Sequence, residues 1–190
     1  MVEEASSGAK QNRKAKGEAW EWLKALGIAV ILALLIRTFL FAPVLVSGSS
    51  MMPTLEDGER LIVSKLIYYI QSPKHGDIIV FHATEEKDYI KRVIATEGQT
   101  VEYRNDQLYI DGKPVDEPYL QQYKKEAKAA GYDVLTKDFR EEKIPPGHIF
   151  VMGDNRRNST DSRMIGPVPV NKVVGRSEFV IWPLNKIKFN

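Results

Sequence analysis

The stretch WEWLKALGIAVILALLIRTFLF, running from Trp20 to Phe41, divides the chain. Its centre, Leu26 to Ile36, carries no charge and is apolar on every face, so it predicts a helix with no side suited to water. Extended through Lys24 and Arg37, whose long stems can carry their charge outward, it reaches roughly the 20 residues that a spanning helix needs. Trp20 and Trp22 mark one interface, and Phe39 and Phe41 lie near the other. Lys10, Arg13, Lys14 and Lys16 precede it, and no charge follows Arg37 until Glu56. The positive-inside bias then places the N-terminus in the cytoplasm and everything after Phe41 outside. A disordered cytoplasmic tail (1–18), a transmembrane anchor (19–41) and an extracytoplasmic domain (42–190) are expected. A cleaved leader is the poorer reading, because Leu40 is large where a small residue is wanted and Pro43 follows Ala42 directly.

Composition narrows the function. A net charge of +2 over 190 residues makes no case for nucleic acid. With no cysteine there is no disulfide, zinc thiolate or cysteine nucleophile. His75, His82 and His148 lack metal-ligand spacing, so neither a metal nor an organic cofactor is implied.

Beyond Leu55 the pattern is mostly β. Arg60–Val63, Ile78–Phe81, Tyr89–Ala95, His148–Met152, Val173–Val174 and Phe179–Trp182 read as strands, and Thr100–Ile110 as a hairpin turning at Asn105-Asp106. Gln121–Ala130, ended by Gly131, is the one helix expected after the anchor. The fold class is therefore mainly β: an N-terminal transmembrane helix, then a curved, antiparallel, barrel-like domain with one small helix.

Three pieces carry chemistry. Ser50 lies in SGSSMMPTL (Ser47–Leu55), where Gly48 permits a tight backbone and Pro53 fixes φ, so a hydroxyl sits on a rigid bend among apolar side chains. A Ser/Gly linker leaving a membrane would look similar. Lys91 shares a strand face with Tyr89 and Val93; burial there, with Arg92 adjacent, would lower its pKa, and a neutral amine can take a serine's proton. An edge lysine reaching solvent is the plainer reading of the strand alone. The third piece, Gly153 to Arg163, alternates acids, amides, hydroxyls and arginines; it reads either as a solvated loop or as a self-paired network that could orient the lysine.

Taken in order, Ser50–Leu55, Gly58–Val63, Tyr89–Ile94 and Gly153–Arg163 resemble the four sequence motifs of bacterial type I signal peptidases in their short, single-anchor form. The resemblance implies a membrane-bound serine endopeptidase that cuts exported preproteins after a small-x-small motif on the outer face of the cytoplasmic membrane, in contact with lipid. It implies Ser50 as nucleophile, Lys91 as general base and Ser159 as the hydroxyl that positions Lys91. Asp161 with Arg163, and Arg92 with Asp154, would hold the loop. By their position around that pair, Val44, Val46, Met51, Leu55, Tyr89 and Ile90 are the candidates for lining the substrate subsites. Gly48 stands where some relatives place a serine that helps the oxyanion hole, and Ala95 and Glu97 depart from the lysine motif. Two other readings fit parts of the chain: a Ser–Lys protease of the self-cleaving repressor type, which would need a DNA-binding N-terminal domain, and a non-catalytic membrane-tethered β-rich binding module.

Overall fold

A computed structural model describes residues 20–34 and 40–189, which fall into two units, one ending at Leu40 and one starting at Phe41. In the first, residues 20–34 form a helix, α1, with Lys24 Nζ over the Trp20 ring at 5.4 Å. Among the described residues no helix is long and apolar enough to cross a membrane. Residues 1–19 and 35–39 of the expected tail and anchor lie outside the described residues, and Phe41, the anchor's expected last residue, instead opens a strand.

The second unit is built on two antiparallel sheets. The larger takes β1 (Phe41–Leu45), β2 (Arg60–Ser64), β3 (Ile78–His82), β4 (Asp88–Thr96), β9 (His148–Met152), β10 (Val168–Pro169), β11 (Val173–Trp182) and β12 (Lys188–Phe189). Its order is β1-β2-β11-β3-β4-β9-β10, with β12 on β11. The sheet does not close: β1 and β10 are its two ends, so the barrel expected from the strand pattern is an open sheet. The two C-terminal strand signals are one ten-residue strand, β11, interrupted by register shifts. Gly175 sits where β11 crosses close to β2; a side chain there would run into the Ser64 carbonyl.

Sequence decides much of this locally. β2 alternates, burying Leu61 and Val63 and turning Arg60 outward. β3 lies inside the sheet and buries four consecutive residues, Ile78 to Phe81. Asn105 and Asp106 both take positive φ (51° and 61°), the two-residue turn that joins β5 (Val101–Arg104) to β6 (Gln107–Ile110). These strands, with β7 (Lys113–Val115) and β8 (Phe139–Glu141), form the smaller sheet. Among the described residues of this unit there are three α-helices, α2 (Ile67–Ile70), α3 (Gln121–Ala129) and α4 (Ser162–Ile165), beside three 3-10 turns; α3 is the helix expected from sequence, and α2 and α4 are four residues each.

Three apolar clusters position the functional loops. Val46, Met51 and Leu55 pack with Leu61, Val63, Ile78, Val80 and Val180, which pins the Ser47–Leu55 stretch to the large sheet. Val93 packs with Ile79, Phe81, Ile149, Val151 and Val168 under the middle of β4. Val101, Tyr103, Leu108 and Ile110 of the small sheet share a core with Ile94, Phe150 and Met152 of the large one.

Candidate active site

Ser50 is held from both sides. Met51, 1% exposed, anchors the following residue in the core. The Ser50 carbonyl accepts the Asn155 amide (3.0 Å), the Ser49 carbonyl accepts Asn155 Nδ2 (3.1 Å), and Ser49 Oγ accepts Asn158 Nδ2 (2.9 Å). Gly48 has φ 88°, as its place in the bend requires, and its amide is committed to Asp57 Oδ1 at 2.7 Å.

Lys91 reaches this bend from β4. Its Nζ lies 2.7 Å from Ser50 Oγ and donates to the Ile90 carbonyl at 3.0 Å. The residue is 3% exposed, and Nζ also stands 5.1 Å from the centre of the Tyr89 ring. Burial lowers the amine's pKa to about 8, against the opposing pull of the Asp161 and Asp154 carboxylates. Arg163, rather than the neighbouring Arg92, is the cation that adds to the lowering.

The 153–163 loop is the self-paired network of the two readings open in sequence. Arg92 donates to both oxygens of Asp154, Nε to Oδ1 at 2.9 Å and Nη2 to Oδ2 at 2.7 Å, and Thr54 Oγ1 donates to the same Oδ2 at 2.5 Å. Burial works against the charge on Arg92, but the Asp154 pairing outweighs it and raises its pKa. Arg163 grips Asp161 in the same two-pronged way (2.8 and 2.7 Å), and Asp161 Oδ2 also accepts the Gly153 amide. Burial alone would raise the Asp161 pKa; Arg163 and the Gly153 amide hold it below the usual carboxylate range. Ser159 Oγ is buried where a Gly153 side chain would stand; its hydroxyl helps lower the Asp161 pKa, and the bonds of Lys91 Nζ run elsewhere.

A cleft of about 320 Å³ opens over the two residues, lined in part by Val44, Val46, Met51, Tyr89 and Ile90. Leu55, the sixth subsite candidate, is wholly buried in the core below and is absent from the lining. Sequence reasoning missed Ser49, Asp88 and Thr160, which do line the cleft, and the Thr54 hydroxyl, which completes the Asp154 site. Thr54 sits inside the nucleophile motif and Ser49 directly before it, where neither carries a signal of its own. Among the described residues no group of three or more His, Cys, Asp or Glu could hold a metal ion.

Residues 19–182 match the family described as signal peptidase, peptidase S26. The chain belongs to the S26 signal peptidase family. It is 51% identical to a signal peptidase I of Bacillus amyloliquefaciens and 50% identical to signal peptidase I T of Bacillus subtilis, each over 99% of this chain and 98% of the relative. The crystal structure of an Enterococcus faecalis signal peptidase I superposes with a TM-score of 0.52 at 37% identity, covering 56% of this chain and 97% of that one. Membership in the S26 family makes this chain a serine peptidase, and leaves the self-cleaving repressor and the binding module without support.

Proposed function

We infer that the chain removes signal peptides from exported preproteins, with Ser50 as nucleophile and Lys91 as general base. The observation that carries the assignment is the 2.7 Å approach of Lys91 Nζ to Ser50 Oγ in a water-poor setting. Once Lys91 is neutral, the hydrogen bond reverses: Ser50 Oγ–H donates to the Nζ lone pair, while the Ile90 carbonyl keeps one amine hydrogen and so fixes where that lone pair points. Oγ attacks the substrate carbonyl, its proton passes to Nζ, and Nζ returns it to the leaving amine. Water, deprotonated by the same amine, then hydrolyses the acyl-enzyme. The Ser50 amide is the first oxyanion donor; the Gly48 amide is excluded as the second by its bond to Asp57. Ser159, packed against the loop, is read as steering Lys91 from within it.

The cleft is where this reading places the substrate's small-x-small segment. Among the described residues β1 is a sheet end paired only with β2, and β4 pairs with β9 only from Arg92 onward, leaving one edge of Asp88–Lys91 without a strand. An extended peptide can add to these edges, with Val44, Val46, Met51, Tyr89 and Ile90 against its side chains. The site works on the outer face of the cytoplasmic membrane, held there by the apolar stretch 19–41. Leu45, Arg60 and Trp182 stand in one cross-strand row, and exposed Leu45 and Trp182, with Leu184, Ile187 and Phe189 beyond, suit contact with lipid.

Purified chain incubated with a preprotein, beside its Ser50→Ala form, tests this. Cleavage at the small-x-small junction by the first alone is expected; cleavage by both removes Ser50 from the chemistry.

A further inference from the structure

The Arg156 side chain takes no part in the chemistry described above, yet it is almost wholly buried (3% exposed). Apart from Gly153, its partners come from β5 of the small sheet and from the segment between β7 and β8. Nη2 donates to Glu117 Oε1 at 2.5 Å, and Nη1 donates to the Tyr103 hydroxyl and, more weakly, to Glu117 Oε2. Nε donates to the Gly153 carbonyl at 3.1 Å. Glu117 also accepts the hydroxyls of Tyr103 (2.5 Å) and Tyr119 (2.7 Å), and the Tyr119 ring lies 3.9 Å from the Arg92 guanidinium. One buried carboxylate thus gathers two phenols and an arginine, and through them meets both ends of the Ser50 support.

Gly153 is where this network reaches the dyad. Its carbonyl is held by Arg156, its amide by Asp161, and its α carbon lies against Ser50 O and Ser159. Two residues on, the Asn155 amide binds the Ser50 carbonyl. We propose that Glu117 is a positioning residue for Ser50, acting through Arg156 and Gly153, which makes the small sheet a working part of the site. This rests on the reading of Ser50 as nucleophile. A buried ion pair is seldom more stabilising than apolar packing of the same volume. What apolar packing cannot do is aim an N–H at the Gly153 carbonyl.

The distinguishing experiment replaces the pair together, Glu117→Gln with Arg156→Met, so that no unpaired charge stays buried. The full chain and this variant are compared in unfolding temperature, in kcat and KM on a preprotein peptide, and in hydrogen exchange at the Asn155 amide. The variant is expected to fold with KM within about twofold, kcat lower by about tenfold or more, and Asn155 exchange faster by a similar factor. A folded variant with wild-type kcat and wild-type exchange overturns the proposal. Should the double variant fail to fold, Tyr103→Phe removes a single hydroxyl from the same network. Lower kcat at unchanged KM upholds the proposal, and unchanged kcat overturns it. Exchange is read without substrate: a wild-type chain that cleaves nothing would sink the reading of Ser50, while faster exchange in the variant would still uphold the link from Glu117 to the loop.

Discussion

Arg92 grips Asp154 through two parallel bonds of 2.9 and 2.7 Å, and it does so from the residue next to Lys91. Lys91 and the 153–163 loop are thereby fastened at one point. Asp154→Asn leaves the Arg92 guanidinium buried without its counter-charge, which costs about 3–5 kcal/mol. Urea unfolding should show that loss. Thr54→Val removes only the third hydrogen bond to the same carboxylate and should cost about 1 kcal/mol.

Ser50→Ala and Lys91→Ala should each abolish processing while leaving the unfolding transition cooperative. Because they act as one unit, the double variant should be no slower than either single one. Substantial turnover by Lys91→Ala would return the search for a base to the histidines.

The activity should follow the state of Lys91. Only the neutral amine can accept a proton, so kcat/KM is expected to rise with pH through about 8 and to level off above it. A profile flat from mildly acid to alkaline pH would remove a titrating lysine from the mechanism.

Stability should rise with pH as well, over a window that lies higher. In the unfolded chain Lys91 titrates near 10.5, and in the folded chain near 8. Between those values the unfolded state binds more protons, so stability rises with pH across that window. Below pH 8 the folded state bears the full cost of a buried ammonium. Lys91→Met should therefore be more stable than wild type at neutral pH, by about 3 kcal/mol, with the gap closing as pH approaches 10.5.

Gly153→Ala should be inactive yet folded. The added methyl would run into the Ser159 hydroxyl and the Ser50 carbonyl, forcing apart two loops that meet closely there. A loss of about a hundredfold in kcat with a native far-UV spectrum is expected.

Much of this was legible in the sequence, and the boundary of legibility has a physical cause. Local rules sufficed for the Asn105-Asp106 turn, for β9 at His148–Met152 and for α3, whose end falls one residue before the expected Ala130. Short motifs sufficed to bring Ser50 and Lys91 together and to pair Arg92 with Asp154 and Asp161 with Arg163. Pairings across long separations did not show. Glu117 and Arg156 are 39 residues apart, and nothing around Glu117 marks it as buried. Leu55 was misread for a similar reason: lying near Ser50 in sequence says nothing of which way a side chain turns, and this one fills the core. Closure of the strands into a barrel likewise depends on how the sheet ends meet, which no single strand encodes.

β4 has a consequence for how this site can change. Neighbouring residues on a strand face opposite ways, so Lys91 and Arg92 are one peptide bond apart and yet belong to different compartments. Tyr89 and Val93 pack with the cluster under the middle of the strand, whereas Ile90 packs with Val46 and Met51. The strand sends an amine that must lose its proton to Ser50 and a guanidinium that never does to Asp154. A one-residue insertion within β4 ahead of Lys91, between Asp88 and Ile90, would exchange the two, delivering a permanent cation to the hydroxyl and a titratable amine to the carboxylate. Drift in this part of the chain is therefore confined to steps of two residues, or to the loop between β3 and β4, where a change of length leaves the parity of the strand intact.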